Sequence, residues 1–146
     1  MSDQPFVYEV YINAAPEELW RAMTDGEYTK KVVGAREYRS EWKTGATIES
    51  WMENGNIDGR GKILKIEPPE LLVYNWNDIH LGDELEPSVI TYKIEKTDSE
   101  NVVKLTVTHE NLLGRNTEFW PIVISDIKSY METGKSMFGQ PGSNFG

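Results

Sequence analysis

The chain has two histidines, His80 and His109, and only these side chains could act as general bases near neutral pH with an ordinary pKa. Neither lies in a catalytic motif, because the chain has no G-x-S-x-G sequence and no third residue placed to orient a base. We therefore expect no catalytic residues and a protein that is not an enzyme. His109 shares the parity of Val103, Leu105 and Val107, so it is either a pocket-facing residue or a structural histidine at a strand end.

Oxygen-bearing side chains crowd one loop and could in principle hold a calcium ion. Their spacing matches no calcium-binding loop and lacks the closing glutamate, which favours a solvated acidic loop. The absence of cysteine excludes disulfides, thiolate zinc sites and iron–sulfur clusters. We expect neither a metal nor a cofactor. The residues of the acidic loop are Asp78, His80, Asp83, Glu84 and Glu86.

Aromatic side chains are the residues with the greatest capacity to bind a ligand. Five Trp and seven Tyr in 146 residues supply large apolar surfaces, some of which carry a polar group that can orient a bound molecule. Most of these rings must pack against protein, and a subset could line a cavity. The predicted lining residues are Trp51, Trp76, Tyr92, His109, Trp120, Val123 and Ile127.

The charge balance restricts the possible partners. Fifteen Lys and Arg against 24 Asp and Glu give a formal net charge of -9, which disfavours DNA, RNA and anionic lipid. No apolar run approaches the ~18 residues that a membrane span needs, and the N-terminus has no signal-peptide pattern. We expect a cytoplasmic protein without a membrane span.

Most of the chain is predicted to form strands. Apolar residues alternate with period two in the first segment, and Asn54-Gly55 is a strong hairpin signal between two later segments. The loop at residues 97–101 has the length and composition that close another hairpin. The predicted strands cover residues 6–12, 36–42, 46–53, 59–67, 71–76, 88–96 and 102–110.

Helical patterns lie near both ends of this series of strands. Pro16 and the acidic residues after it predict a helix over 16–24, and residues 26–33 form a second short helix or a loop. Apolar residues at three- and four-residue spacing predict a long amphipathic helix over 117–133, which Gly134 ends. We expect one α+β domain over 1–138 and a disordered tail over 139–146. A curved sheet around the long helix would leave a cavity between them.

Several short motifs follow one another over residues 7–134: PEELWRAMTD at 16–25, WKTG at 42–45, EPP at 67–69, LLVYNW at 71–76, LTVTH at 105–109 and the Ile-rich segment 120–134. In this order they resemble the motifs of the Aha1-type branch of the START-like (SRPBCC) superfamily. The resemblance implies a helix-grip fold, in which an antiparallel sheet of six to seven strands wraps around the C-terminal helix and encloses an apolar cavity. The family includes the C-terminal domain of an Hsp90 ATPase activator and many small bacterial proteins.

Three functions follow as hypotheses. The first is non-enzymatic binding of a small apolar or aromatic molecule, lipid-like or otherwise, between the sheet and the long helix. The second is a protein-interaction module related to Hsp90 ATPase activators, with an Hsp90-type chaperone as its partner and a role in the stress response. The third and weakest is an enzyme of the cyclase or hydrolase type, for which the sequence supplies no orienting partner.

Overall fold

The computed structural model describes residues 5–31, 36–79, 86–111 and 119–137, without the side chains of residues 119 and 120. Within these ranges the chain forms seven strands and three helices. The strands are β1 (Phe6–Ile12), β2 (Glu37–Ser40), β3 (Thr47–Trp51), β4 (Ile57–Glu67), β5 (Leu71–Asp78), β6 (Ser88–Lys96) and β7 (Val103–Glu110). The helices are α1 (Pro16–Thr24), α2 (Gly26–Thr29) and α3 (Phe119–Thr133). His80, Asp83, Glu84, Gly34 and the tail at 139–146 lie outside the described residues.

All seven strands belong to one antiparallel sheet with the order β1-β7-β6-β5-β4-β3-β2. Strands β2 to β7 are neighbours in sequence order, as the hairpin signals predict. Strand β1 joins the far edge by pairing with β7, with Phe6 opposite His109. The curved sheet with its C-terminal helix and short helices after β1 confirms the predicted helix-grip fold.

Strand boundaries depart from the sequence pattern where the backbone must turn. Strand β2 ends at Ser40 instead of 42, because Trp42 adopts a positive φ of 53°, which extended strands do not contain. The predicted Asn54-Gly55 hairpin is present, with Gly55 at φ 89° and its N–H bonded to the carbonyl of Met52. Strand β4 begins two residues earlier than predicted, at Ile57, next to a register shift between Ser50 and Trp51.

The apolar core lies between the concave face of the sheet and the helices. Alternate residues of the strands point inward, so that each central strand contributes a row of buried side chains. Helix α3 contributes Ile124 and Ile127, and α1 contributes Leu19, Ala22 and Met23. The buried side chains of the sheet include Ile48, Ile63, Leu72, Tyr74, Ile90, Tyr92, Ile94, Val103, Leu105 and Val107.

Hydrogen bonds from residues 134–137 fix the C-terminal end of α3. Gly134 adopts a φ of 79° and donates its N–H to the carbonyl of Tyr130, which confirms the predicted C-terminal stop. Asp126 is fully buried on the helix, and its carboxylate accepts hydrogen bonds from the Ser136 hydroxyl and the Met137 N–H. Residues 134–137 therefore fold back against the helix.

A polar clamp joins α3 to the end of β1. Lys128 donates to the carbonyl oxygen of Tyr11 at 2.8 Å, and its ammonium lies 2.6 Å from the Glu132 carboxylate. Glu132 also accepts a hydrogen bond from the backbone N–H of Asn13 at 2.8 Å. The Lys128 bond, followed by the Asn13 bond, lowers the pKa of Glu132 below its ordinary value of 4.5.

Replacing Glu132 by Gln removes the charge from this clamp. Because the folded-state pKa is lowered, the carboxylate stabilises the fold above pH 4.5, and this contribution is lost as the pH falls through the folded-state pKa. We expect Glu132→Gln to lower the free energy of unfolding by about 1 kcal/mol at pH 7 and by a smaller amount at about pH 3. Urea denaturation at both pH values measures this. Glu53→Gln, at an exposed position, is the control, and an equal loss at both pH values would contradict the assignment.

Candidate functional site

A glycine makes room for a large ring on the concave face. Gly59 on β4 and Ser50 on β3 are opposite one another in the sheet, and both are buried. The indole of Trp76 lies directly over Gly59, where a Cβ atom would collide with the ring. The ring can therefore extend from β5 across β4 along the floor of the sheet.

Aromatic rings continue from Trp76 in both directions, and together they form what we call the aromatic row: Tyr38, Trp76, Tyr74 and Tyr92. The rings of Tyr38 and Trp76 are nearly parallel, with an interplanar angle of 8° and centroids 6.0 Å apart. Trp76 meets Tyr74 edge to face at 5.7 Å, and Tyr74 is 6.1 Å from Tyr92. The row spans the sheet from β2 to β6 at the distances that aromatic pairs prefer.

The tyrosines of the row stay neutral at physiological pH. Burial raises the pKa of Tyr38 to about 12, with a further contribution from the negative charge of Asp58. Burial also raises the pKa of Tyr74 and of Tyr92, whose hydroxyls are neighbours. Each hydroxyl therefore keeps its proton and can both donate and accept hydrogen bonds.

Five of the predicted lining residues contribute to this interior. Trp76 and Tyr92 belong to the aromatic row, and His109 is 5% exposed on the same face of β7, opposite Ile90. From α3, Ile127 is part of the buried core and Val123 packs against it. The backbone of Trp120 belongs to α3, but its side chain lies outside the described residues.

The placement of Trp51 corrects the sequence prediction. Trp51 lies on the outer face of β3, opposite to buried Ile48 and Ser50. There the guanidinium of Arg39 lies 4.2 Å from the ring centroid, and the indole N–H donates to Glu49 at 3.1 Å. The strict alternation of side chains along β3 makes this unavoidable once Ile48 is buried. Trp51 therefore does not line the interior.

Sequence reasoning omitted Tyr38 and Tyr74 from the site. Tyr74 has the parity of Trp76 on β5, so the strand pattern already contained the signal for it. Tyr38 belongs to a strand of four residues, and only its pairing with Ser50 shows that it faces inward.

The described surface also contains a groove with several charged side chains. A groove of about 570 Å³ lies between the start of α1, the β4–β5 turn and the end of β6. Its charged lining residues are Glu17, Glu67, Glu70, Glu95, Lys93 and Lys96. Within the described residues there is no group of three or more His, Asp or Glu that could hold a metal ion. No described helix is long and apolar enough to cross a membrane.

Adding a methyl group at Gly59 tests the packing beneath Trp76. We expect Gly59→Ala to lower the free energy of unfolding by about 1–3 kcal/mol, because the new Cβ overlaps the indole. In a Trp76→Leu background the same substitution should cost at least about 1 kcal/mol less. Chemical denaturation of the four proteins gives this coupling energy. A cost of Gly59→Ala that does not depend on residue 76 would refute the proposed contact.

Comparisons with known proteins agree with this architecture. The family model for activator of Hsp90 ATPase homolog 1-like proteins matches residues 13–132. No curated protein matches the chain significantly. An Aha1 dimer from Colwellia psychrerythraea is 21% identical, with 92% of this chain and 100% of that chain covered and a TM-score of 0.71.

Two further solved structures share the fold. An HSP90 activator from Plasmodium falciparum is 20% identical, with 92% of this chain and 91% of that chain covered and a TM-score of 0.63. CalU16 from Micromonospora echinospora is 16% identical, with coverages of 91% and 77% and a TM-score of 0.70. These identities show the fold alone, whereas the family model covers most of the chain. The chain belongs to the family of activator of Hsp90 ATPase homolog 1-like proteins.

Proposed function

We propose that the protein binds a small apolar or aromatic molecule between the concave face of the sheet and α3, without chemical conversion and in the cytoplasm. The observation that carries the proposal is the aromatic row. Four rings from three strands lie side by side, at centroid distances of 5.7–6.1 Å, on the face that the helix covers. A flat ligand would find π-faces and edges there, together with neutral hydroxyl groups that fix its orientation.

Differences in burial along the row indicate where the ligand would enter. Tyr74 is 1% exposed and Tyr92 is 7% exposed, so these rings form the closed end. Tyr38 and Trp76 are only partly buried, although they pack against the core. We place the ligand against Tyr38 and Trp76, with its inner end directed toward Tyr92. The wider lining would comprise Trp76, Tyr92, His109, Trp120, Val123 and Ile127.

Tryptophan fluorescence tests ligand binding directly. We expect at least one compound from a panel of lipids, flavonoid-like and polyketide-like molecules to quench the emission saturably. Trp76→Phe should weaken binding of that compound about tenfold, because the smaller ring leaves part of the contact unfilled. Trp51→Phe is the matched control on the outer face and should change the affinity less than twofold. A panel without any saturable response would refute the proposal.

A second candidate function is supported by the family match: interaction with an Hsp90-type chaperone in a stress response. The groove described above, whose four glutamates outnumber its two lysines, offers an acidic surface for such a contact. It lies away from the aromatic row, so the two functions are separable.

An ATPase assay with the Hsp90 of the same organism tests this second function. We expect stimulation of the ATPase rate, and a loss of at least fivefold in potency for Glu17→Lys/Glu70→Lys, because the reversed charges repel a basic partner. Glu53→Lys/Glu110→Lys makes the same change of charge elsewhere and should retain the wild-type potency. Absence of both binding and stimulation would remove this function.

A further inference from the structure

A polar corner adjoins the Tyr38 end of the aromatic row, and we call it the Asp58 corner: Arg36, Tyr38, Ser50, Asp58 and Asp78. Sheet pairing brings these residues together. Tyr38 is opposite Ser50, Ser50 is opposite Gly59, and Gly59 is in turn opposite Asp78. Asp58 directly precedes Gly59 at the register shift of β4. The corner is thus built from four strands or their immediate flanks, so its groups are held by the sheet.

Only one of the two oxygen atoms of the Asp58 carboxylate accepts a hydrogen bond from a described residue. Its Oδ2 atom accepts a hydrogen bond from Nε of Arg36 at 2.7 Å. Its Oδ1 atom is buried, and no described residue brings a donor within hydrogen-bonding distance of it. A buried acceptor without a donor is costly, so Oδ1 is a site where a donor group would bind favourably.

The Tyr38 hydroxyl has the opposite requirement. Burial, followed by the negative charge of Asp58, raises the pKa of Tyr38 to about 12, so the hydroxyl keeps its proton. A protonated phenol hydroxyl can donate one hydrogen bond, so Tyr38 can offer its proton to an acceptor on a ligand. The indole N–H of Trp76 is already used, since it donates to Asp78 at 3.1 Å.

A single hydroxyl group can meet both requirements, because it donates one hydrogen bond and accepts another. We propose that the Asp58 corner binds a hydroxyl group of an aromatic ligand, which donates to Asp58 Oδ1 and accepts from the Tyr38 hydroxyl while its ring packs on Tyr38 and Trp76. This inference rests on the proposed ligand-binding function and specifies the ligand class as a phenol-type molecule.

Charge in the corner discriminates against other polar groups. A ligand carboxylate would be repelled by Asp58 and Asp78 and would offer no donor to Oδ1. An ammonium group could donate to Oδ1, but Arg36 already balances the charge of Asp58, and an ammonium cannot accept the Tyr38 proton. An ether accepts but does not donate. A neutral hydroxyl therefore fits best among these groups.

A matched series of naphthalenes tests this inference by calorimetric titration. The probes are 2-naphthol, 2-methoxynaphthalene, 2-methylnaphthalene, 2-naphthoate and 2-naphthylmethylamine. We expect 2-naphthol to bind about tenfold more tightly than 2-methylnaphthalene, which corresponds to the two hydrogen bonds of its hydroxyl group. Binding of 2-naphthoate should be the weakest of the series.

Two variants locate the source of the preference. Tyr38→Phe keeps the ring that stacks on Trp76 but removes the hydroxyl. Asp58→Asn leaves the amide oxygen for Arg36 and turns an NH₂ group toward the ligand, so that two donors face each other. Each should lower the preference for 2-naphthol over 2-methylnaphthalene about fivefold while leaving 2-methylnaphthalene affinity within twofold. Tyr11→Phe and Asp98→Asn, both at exposed positions, are the matched controls and should change neither affinity.

The outcomes separate this inference from the proposed function. If 2-methylnaphthalene binds but the hydroxyl adds no affinity, or if 2-naphthylmethylamine binds more tightly, the assignment of the corner to a hydroxyl is overturned and the apolar site stands. If no member of the series binds, both proposals fail. Thermal denaturation checks that each variant is folded, and Tyr38→Phe carries the test alone if Asp58→Asn is unfolded.

Discussion

Every part of this structure depends on the need to cover one apolar sheet face. Alternation along the strands places the side chains of Ile48, Ile63, Leu72, Ile90 and Leu105 on the same side, and exposing that side to water would forfeit their burial. Helices α1 and α3 supply the cover. The clamp of Lys128 and Glu132 to the end of β1 sets where α3 meets the sheet. The interior, including the aromatic row, lies between this sheet face and the helices that cover it.

The position of Trp76 in the aromatic row depends on a glycine in the neighbouring strand. Trp76 can lie flat on β4 only because Gly59 has no Cβ atom beneath its ring. The same arrangement brings Tyr38 parallel to the indole and leaves both rings partly buried. These two rings therefore keep apolar surface that the protein itself does not cover.

Polar groups adjoin the same end of the aromatic row. Tyr38 supplies a neutral hydroxyl group, and Asp58 and Asp78 supply hydrogen-bond acceptors. Such an amphipathic site suits a ligand with an apolar body and one polar group. The acidic groove at the other end of the sheet is a separate surface, which would permit a protein partner without closing the interior.

The sequence by itself determined the strands, the two main helices and the hairpin at Gly55, because periodicity and turn chemistry are local properties. It also showed that Trp76, Tyr92 and His109 share the parity of core residues. Only the tertiary structure decided that Trp51 lies outside, since the burial of Ile48 assigns the faces of β3. The pairing of Tyr38 with Ser50, and the approach of Asp58 through a register shift, are likewise contacts between strands that no local pattern encodes.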